Sequence, residues 1–164
     1  MSPARERVPK DQIWDSARAS AVIAEHLDQE GPLLPILHAL QEEFGYIDRE
    51  AEPMIADALN ISRAEVHGVV TFYHDFRSKP AGRHVLKLCR AEACQAVGGD
   101  ALAARAESRL GVALGDTTAD GRVSLEPVYC LGLCSVSPSA MFDGKIIGRL
   151  DEKALDRLLA QADQ

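Results

Sequence analysis

Apolar residues in the first half of the chain recur every three or four positions, a spacing that predicts α-helices. Four helices are expected, over residues 11–30, 33–44, 50–59 and 63–72. Asp11 is the expected N-cap of the first helix and Asp48 that of the third. The apolar face of the first helix is expected to contain Trp14, Ala17, Ala21 and Val22. Short turns between the helices predict a small bundle.

The second and fourth helices carry the clearest signals. An apolar stripe ends just before Gly45, a residue suited to a left-handed C-cap, and it consists of Ile36, Leu37, Leu40 and Phe44. Ser62 and Glu65 have the S-x-x-E pattern of a capping box. Residues 12–77 are therefore expected to form a helical N-terminal domain, preceded by a flexible arm at residues 1–11.

Short apolar runs replace the helical pattern after a turn-rich break at residues 78–82, so a second domain is expected over residues 82–164. Its predicted order is a strand at 84–88, a helix at 101–110, a strand at 123–128, a hairpin at Asp143-Gly144 and a helix from Asp151. A helical crossover favours a parallel strand pair, to which the hairpin adds antiparallel strands. The expected fold class is α+β / α/β, with a helical bundle followed by a thioredoxin-like domain with a mixed sheet.

The composition is that of an ordinary globular protein, with 46% hydrophobic and 26% charged residues. The net charge of −7 argues against nucleic-acid binding, because phosphates are neutralised by clustered Lys and Arg. No apolar segment follows the polar residues 1–10, and no apolar run approaches the roughly 20 residues of a membrane span. A cytoplasmic protein is therefore expected, in a compartment that keeps thiols reduced and available for metal.

All four cysteines fall into two close pairs, each directly after a predicted strand. Cys89 and Cys94 have the spacing C-x4-C, and Cys130 and Cys134 the spacing C-x3-C. Loops that leave the same edge of a sheet can converge, so one four-thiolate centre is expected. Three interpretations stay open from the residues alone, namely an iron–sulfur cluster, a structural zinc ion and a redox-active thiol pair. The spacings differ from the usual C-x2-C zinc knuckle and from the thioredoxin C-x-x-C, which favours iron–sulfur.

Five motifs, two of which contain the cysteine pairs, occur in the same order as in one known family. They are Thr71-Phe72-Tyr73 followed by Phe76, Cys89-x4-Cys94 preceded by Ala93, Thr117-Thr118-Ala-Asp120-Gly121, Leu125-Glu126-Pro-Val128, and Cys130-Leu131-Gly132-x-Cys134. Over residues 12–160 the chain closely resembles the small [2Fe–2S] subunit of respiratory complex I and its relatives. Those relatives include subunits of NAD-linked hydrogenases and of molybdenum-containing, NAD-dependent formate dehydrogenases. The stretches 69–76 and 89–95 look most like the gamma subunit of soluble formate dehydrogenases.

The resemblance implies a non-catalytic electron-transfer subunit with a thioredoxin-like [2Fe–2S] domain. One [2Fe–2S] cluster would be held by Cys89 and Cys94 on one iron and by Cys130 and Cys134 on the other. The implied partner is a larger iron–sulfur subunit that binds FMN and NAD. In a formate dehydrogenase, a molybdenum-pterin subunit would oxidise formate elsewhere in the same complex. The flavin would handle hydride chemistry, and this subunit single electrons.

Residues near the cysteines have expected supporting roles. Arg90 and Lys87 are candidates for offsetting the negative charge of a cluster, and Gly132 can let the loop backbone approach sulfur. Water is expected to be kept out by Leu131, Leu133 and Val136.

Two other motifs are given structural roles. Gly98-Gly99 lacks the context of a phosphate-binding loop and is interpreted as a plain helix entry. The aromatic motif Phe72, Tyr73 and Phe76 is expected to pack the helical bundle on the second domain, with a flavoprotein interface as the alternative.

Overall fold

The computed structural model describes residues 14–163. The predicted flexible arm at residues 1–11 and the predicted cap Asp11 lie outside the described residues. The chain divides into two compact units, with the division between Pro80 and Ala81.

The helices of the N-terminal unit follow the apolar periodicity of the sequence. Within residues 14–80 they are α1 (Ser16–Ala24), α2 (Leu33–Phe44), α3 (Ala51–Leu59) and α4 (Arg63–Phe72). The predicted stripe of α2 is buried, and Gly45 ends this helix with a left-handed φ of 79°. The predicted capping box is confirmed, because the Ser62 hydroxyl accepts the Glu65 N–H and the Glu65 carboxylate accepts the Ser62 N–H. The prediction of Asp48 as the N-cap of the third helix is wrong, because Glu50 is the N-cap and Asp48 accepts the Glu50 N–H in the turn before the helix.

The first helix differs from the prediction in its start, its end and its buried face. It ends at Ala24, although the pattern predicted a helix as far as residue 30. Asp15 is the N-cap, and its carboxylate accepts the N–H groups of Ala17 and Arg18. The buried residues are Ala19, Val22 and Ile23, whereas the predicted core residues Ala17 and Ala21 are exposed. Because alanines lie on both faces of this helix, the apolar periodicity did not identify the buried face.

The aromatic motif after α4 divides between core and surface. Phe76 is buried and packs into the core of the helical unit. Phe72 is 72% exposed and Tyr73 is 44% exposed. Phe76 therefore belongs to the core of the helical unit, and the packing of Phe72 and Tyr73 on the second domain stays a prediction.

The second unit contains both strands and helices. Its helices are α5 (Glu92–Ala96), α6 (Gly99–Leu110) and α7 (Glu152–Gln161), with a short 3-10 helix at Cys134–Val136. Its strands are β1 (His84–Cys89), β2 (Val123–Val128), β3 (Ala140–Phe142) and β4 (Lys145–Ile147). The strand order is β2-β1-β3-β4. The sheet is mixed as predicted, because β1 pairs parallel with β2 while β3 pairs antiparallel with β1 and β4.

Local sequence signals explain the ends of these elements. Asp143 and Gly144, between β3 and β4, both have positive φ, as a type I′ hairpin turn requires. Gly111 ends α6 in the left-handed conformation. Asp151 caps α7 by accepting the Ala154 N–H at 2.7 Å. The hairpin at Asp143-Gly144, the end of α6 at Leu110 and the start of the last helix just after Asp151 agree with the sequence prediction.

The core of the second unit lies between one face of the sheet and the helices α6 and α7. Its main members are Leu86, Leu88, Leu125 and Phe142 from the sheet and Leu102, Ala106, Leu155 and Leu159 from the helices. This packing fixes the sheet and so the positions at which β1 and β2 end. Among the described residues, no helix has the length and apolar character needed to cross a membrane.

Candidate metal centre

Both cysteine pairs begin at neighbouring strand ends. Cys89 is the last residue of β1 and lies opposite Val128, the last residue of β2. The Arg90 N–H donates to the Val128 carbonyl at 2.8 Å, which extends the parallel pairing just past the strand ends. Cys130 follows two residues after Val128, so the two loops start side by side, as the sequence predicted.

The first pair is buried. Cys89 is 5% exposed and Cys94 is 1% exposed. Cys94 lies in α5, a single short helix where the sequence predicted only a loop. Because β1 fixes one cysteine and α5 the other, the backbone of this pair is held by regular structure.

Gly99 brings α6 against the backbone of Cys94. A Cβ atom built on Gly99 would lie 2.6 Å from the Cys94 carbonyl oxygen and 2.9 Å from its carbonyl carbon, closer than real Cβ atoms come. The glycine pair is therefore the entry of α6, as predicted, but Gly99 also has a role that the prediction missed. It permits the close approach that seats the buried cysteine.

The second pair is exposed and lies on an irregular loop. Cys130 has a φ of +89°, unusual for a residue with a side chain, and Gly132 has a φ of +77°. The Gly132 N–H donates to the Cys130 sulfur at 3.4 Å, which confirms the expected approach of the loop backbone to sulfur. The Cys130 and Cys134 sulfurs are 3.7 Å apart.

The chain that leaves the second loop is fixed by the segment after β4. The Arg149 N–H donates to the Val136 carbonyl at 2.6 Å, and the Leu150 N–H donates to the Pro138 carbonyl at 2.9 Å. A Cβ atom on Gly148 would lie 2.7 Å from a Val136 methyl group, so these two segments are in close contact.

The apolar residues of the second loop do not shield its cysteines. They are partly buried and comprise Leu131, Leu133 and Val136. Cys130 and Cys134 nevertheless remain exposed. The expectation that these side chains exclude water is therefore wrong for the second pair.

A buried serine completes the surroundings of the first pair. Ser139 precedes β3 and is 3% exposed. Its Oγ lies 3.6 Å from the Cys94 sulfur, and its carbonyl accepts the Cys89 N–H at 3.0 Å. The sequence prediction did not include this residue, because no pattern in the chain brings position 139 next to position 94.

The pKa values of the thiols reflect how closely the pairs approach. Burial raises the pKa of Cys89, but hydrogen bonds from the Ala91 backbone, Cys94, the Cys130 backbone and Ser139 lower it further than burial raises it. The pKa of Cys134 is raised, first by its hydrogen bond and charge interaction with Cys130, then by burial and by the charges of Cys94 and Cys89. The charges of Cys89 and Cys94 thus act on Cys134, so the two pairs lie close enough to interact electrostatically.

The two cations proposed to offset cluster charge are paired with carboxylates. Arg90 Nη2 lies 3.0 Å from Asp100 Oδ1. Lys87 Nζ lies 3.5 Å from Glu126 Oε2 on the neighbouring strand. Their positive charges are largely balanced by these carboxylates. The hydrogen-bond donors around the sulfurs are therefore the more important local means of offsetting the negative charge of a cluster.

The sulfur spacing suits two thiolates on one tetrahedral metal. In a tetrahedral site with metal–sulfur bonds of about 2.3 Å, the value for zinc thiolates, two sulfurs on the same metal lie about 3.8 Å apart. The distance of 3.7 Å between the Cys130 and Cys134 sulfurs is close to this value. Across residues 14–163, however, no group of three or more His, Cys, Asp or Glu side chains is arranged to hold a metal ion. A [2Fe–2S] cluster takes two thiolates on each iron, whereas structural zinc takes four ligands around one ion.

One cavity lies in the helical unit, away from the cysteines. It has a volume of about 450 Å³ and is lined mainly by apolar residues, among them Leu34, Leu59, Val69 and Tyr73. A smaller cavity of about 290 Å³ in the second unit is bordered by Arg90 and Tyr129, which flank the two cysteine loops.

Comparison with known proteins relates the chain to electron-transfer proteins. A family described as thioredoxin-like [2Fe–2S] ferredoxin matches residues 19–163. The HndA subunit of an NADP-reducing hydrogenase from Solidesulfovibrio fructosivorans is 32% identical over 158 residues, covering 94% of this chain and 92% of that protein. A subunit of the NADH-quinone oxidoreductase from Pseudomonas aeruginosa is 34% identical over 132 residues, covering 80% of each chain.

Solved structures show the same fold. The crystal structure of an NAD⁺-reducing [NiFe]-hydrogenase in the air-oxidized state matches with a TM-score of 0.67 and 25% identity. The match covers 80% of this chain and 22% of the hydrogenase chain, so this chain spans about a fifth of that one. The H2-reduced state of an NAD⁺-reducing [NiFe]-hydrogenase matches with a TM-score of 0.68.

Proposed function

The chain belongs to the thioredoxin-like [2Fe–2S] ferredoxin family, and from this we propose that it is the electron-transfer subunit of an NAD-linked oxidoreductase complex. Its cofactor is one [2Fe–2S] cluster. We propose that Cys89 and Cys94 ligate one iron and that Cys130 and Cys134 ligate the other. When bound, the cluster supplies single-electron transfer.

The observation that carries this proposal is the pairwise convergence of the four thiols at the ends of β1 and β2. Thiolate sulfur is the donor that iron–sulfur clusters take from proteins. Four thiols on the two loops that follow neighbouring strands would supply the four ligands of one cluster. The arrangement in two pairs favours a binuclear cluster over the zinc interpretation.

The protein's contribution is to fix and protect these ligands. Burial of Cys89 and Cys94 keeps water away from one side of the centre. The Gly132 N–H, which donates to the Cys130 sulfur, stabilises negative charge on the exposed side. No substrate chemistry is assigned to the chain itself. We also propose a cytoplasmic location, because a compartment that keeps thiols reduced leaves them available to bind iron.

The proposed partner is a larger subunit that binds FMN and NAD. A flavin accepts a hydride as an electron pair and passes electrons on singly, so a one-electron carrier is its natural neighbour. The names of the relatives support this, because they are subunits of an NADP-reducing hydrogenase and of NADH-quinone oxidoreductases.

We propose that part of the helical unit is buried against this partner. Phe72 and Tyr73 are large aromatic side chains exposed at the end of α4, an arrangement common in interaction surfaces. Mixing the purified chain with the flavoprotein subunit should give a stable complex, and Phe72→Ala should weaken it. A chain that stays monomeric beside the flavoprotein would contradict this part of the proposal.

For the parent enzyme we propose an NAD-dependent formate dehydrogenase with a molybdenum-pterin subunit. This rests on the resemblance of residues 69–76 and 89–95 to the gamma subunit of soluble formate dehydrogenases. The equivalent subunit of complex I or of an NAD-linked hydrogenase is the second candidate, favoured by relatives that are 32–34% identical.

The test is to isolate the native assembly through a tag on this chain and to measure NAD-linked turnover with formate, hydrogen and quinone. Formate-dependent reduction of NAD⁺ that co-purifies with the chain is the expected result. Activity with hydrogen or quinone instead would select the second candidate. An assembly without any flavin or NAD-linked activity would overturn the proposed class. A tagged Cys130→Ser chain is the control, because it should enter the assembly without a normal cluster signal.

A further inference from the structure

Three polar residues are buried among the residues that the structure describes, namely Thr118, Ser124 and Ser139. Two of them form hydrogen bonds with backbone N–H groups of nearby turns and strands. The Thr118 hydroxyl accepts the N–H groups of Arg122 and Val123, and the Ser124 hydroxyl accepts the Gly82 N–H. Ser139 differs, because its hydroxyl lies beside a cysteine sulfur, at 3.6 Å from Cys94.

The position of Ser139 is fixed by the strand that carries the other buried cysteine. Its carbonyl accepts the Cys89 N–H at 3.0 Å. The next residue, Ala140, begins β3 and lies opposite Leu88 of β1. A backbone held in this way keeps the hydroxyl beside the buried pair.

The direction of the hydrogen bond follows from the chemistry of a ligating sulfur. Between a thiol and a hydroxyl, either group can donate. A cysteine bound to iron is a thiolate without a hydrogen, so it can only accept. The Ser139 O–H must then be the donor, and the acceptor is a sulfur that carries part of the cluster's negative charge.

We propose that Ser139 is a positioning residue that donates its hydroxyl hydrogen to a sulfur of the buried cysteine pair and thereby raises the reduction potential of the cluster. This inference rests on the proposed ligand set. Reduction adds one negative charge, and a donor aimed at sulfur stabilises the more negative state more strongly. The effect is local, because the nearby cations Arg90 and Lys87 are paired with Asp100 and Glu126.

The test compares reduction potentials of the full chain, measured by redox titration followed by visible absorption and EPR. In Ser139→Ala we expect unchanged iron and sulfide content and a more negative potential. The expected shift is about tenfold in the equilibrium constant for reduction, or about 59 mV for one electron. Ser124→Ala is the matched control, because it removes an equally buried serine hydroxyl that contacts no sulfur.

A second pair of variants separates the hydroxyl from the shape of the side chain. Ser139→Thr and Ser139→Val have nearly the same volume and differ in one hydroxyl, so the Thr variant should have the higher potential. Equal potentials in this pair, or in wild type and Ser139→Ala with full cluster content, would overturn the inference. A wild-type chain that binds no [2Fe–2S] cluster would instead overturn the proposed function on which the inference rests.

Discussion

The two cysteine pairs share one edge of the sheet but occupy opposite environments. Cys89 and Cys94 are buried on a strand and a helix, whereas Cys130 and Cys134 are exposed on an irregular loop. The buried pair has the surroundings of a structural anchor. In the proposed centre, the exposed pair would mark the side on which a partner's redox centre comes closest. The proposed centre would thus combine a fixed side and an accessible side.

The largest difference between the pairs should follow from removing one ligand of each. In Cys94→Ser we expect near-complete loss of bound iron and sulfide, because a hydroxyl is a poorer iron ligand than a thiolate and the buried site cannot rearrange. In Cys134→Ser we expect partial loss, because the exposed loop has room to adjust. Iron and sulfide analysis after identical reconstitution measures both. Equal losses in the two variants would remove the distinction between the pairs.

The next largest effect should come from Gly99→Ala. The added methyl group would lie 2.6 Å from the Cys94 carbonyl oxygen, so the backbone of the buried pair must move. We expect a loss of about 1–3 kcal/mol in the free energy of unfolding, together with lower cluster content. Urea denaturation measures the first quantity and metal analysis the second.

Gly68→Ala is the control for that substitution. Gly68 lies inside α4 with no atom within 4 Å of an added Cβ, so alanine there should be neutral or stabilising. If Gly99→Ala behaved like Gly68→Ala, the close approach to Cys94 would have no structural importance.

Gly132→Ala should have a smaller effect than Gly99→Ala. An added Cβ meets no atom within 4 Å, so the cost is that of a left-handed φ of +77°, about 1–2 kcal/mol. The exposed loop can relax part of this strain, and cluster content should fall only modestly. Denaturation and metal analysis under the same conditions give the comparison. A larger loss of cluster than in Gly99→Ala would mean that the exposed pair is the more tightly constrained one.

The smallest effect is expected for Arg90→Gln, next to the buried pair. Arg90 and Asp100 form a surface ion pair at 3.0 Å, and such pairs contribute about 0–1 kcal/mol. The free energy of unfolding should change by less than about 1 kcal/mol, as measured by denaturation. Arg90→Gln alone leaves the negative charge of Asp100 unbalanced and should lower the reduction potential. Adding Asp100→Asn removes that charge and should restore the wild-type potential. A large shift in the double variant would show that Arg90 acts on the cluster directly.

Local signals in the sequence predicted most of the fold. The stripe of α2, the capping box of α4 and the Asp143-Gly144 turn each depend on residues close together in the chain, and each is confirmed. The convergence of the cysteine loops was also predictable, because the ends of adjacent parallel strands share one edge.

The missed features depend on tertiary contacts. Ser139 reaches Cys94 only because β3 pairs with β1, and Gly99 is required only because α6 approaches the backbone of Cys94. The exposure of Phe72 beside the buried Phe76 depends on how α4 packs in its unit. The positive φ of Cys130 has no sequence signal, since glycine is the residue usually found there.

The iron–sulfur assignment itself is decided by metal and sulfide analysis of the purified chain, combined with EPR. We expect two iron and two acid-labile sulfide ions per chain, no EPR signal when the protein is oxidised and a signal of one unpaired electron after reduction. In Cys94→Ser these ions and the signal should be absent. A colourless chain with one zinc ion and no sulfide would contradict the assignment and support a four-thiolate zinc site instead.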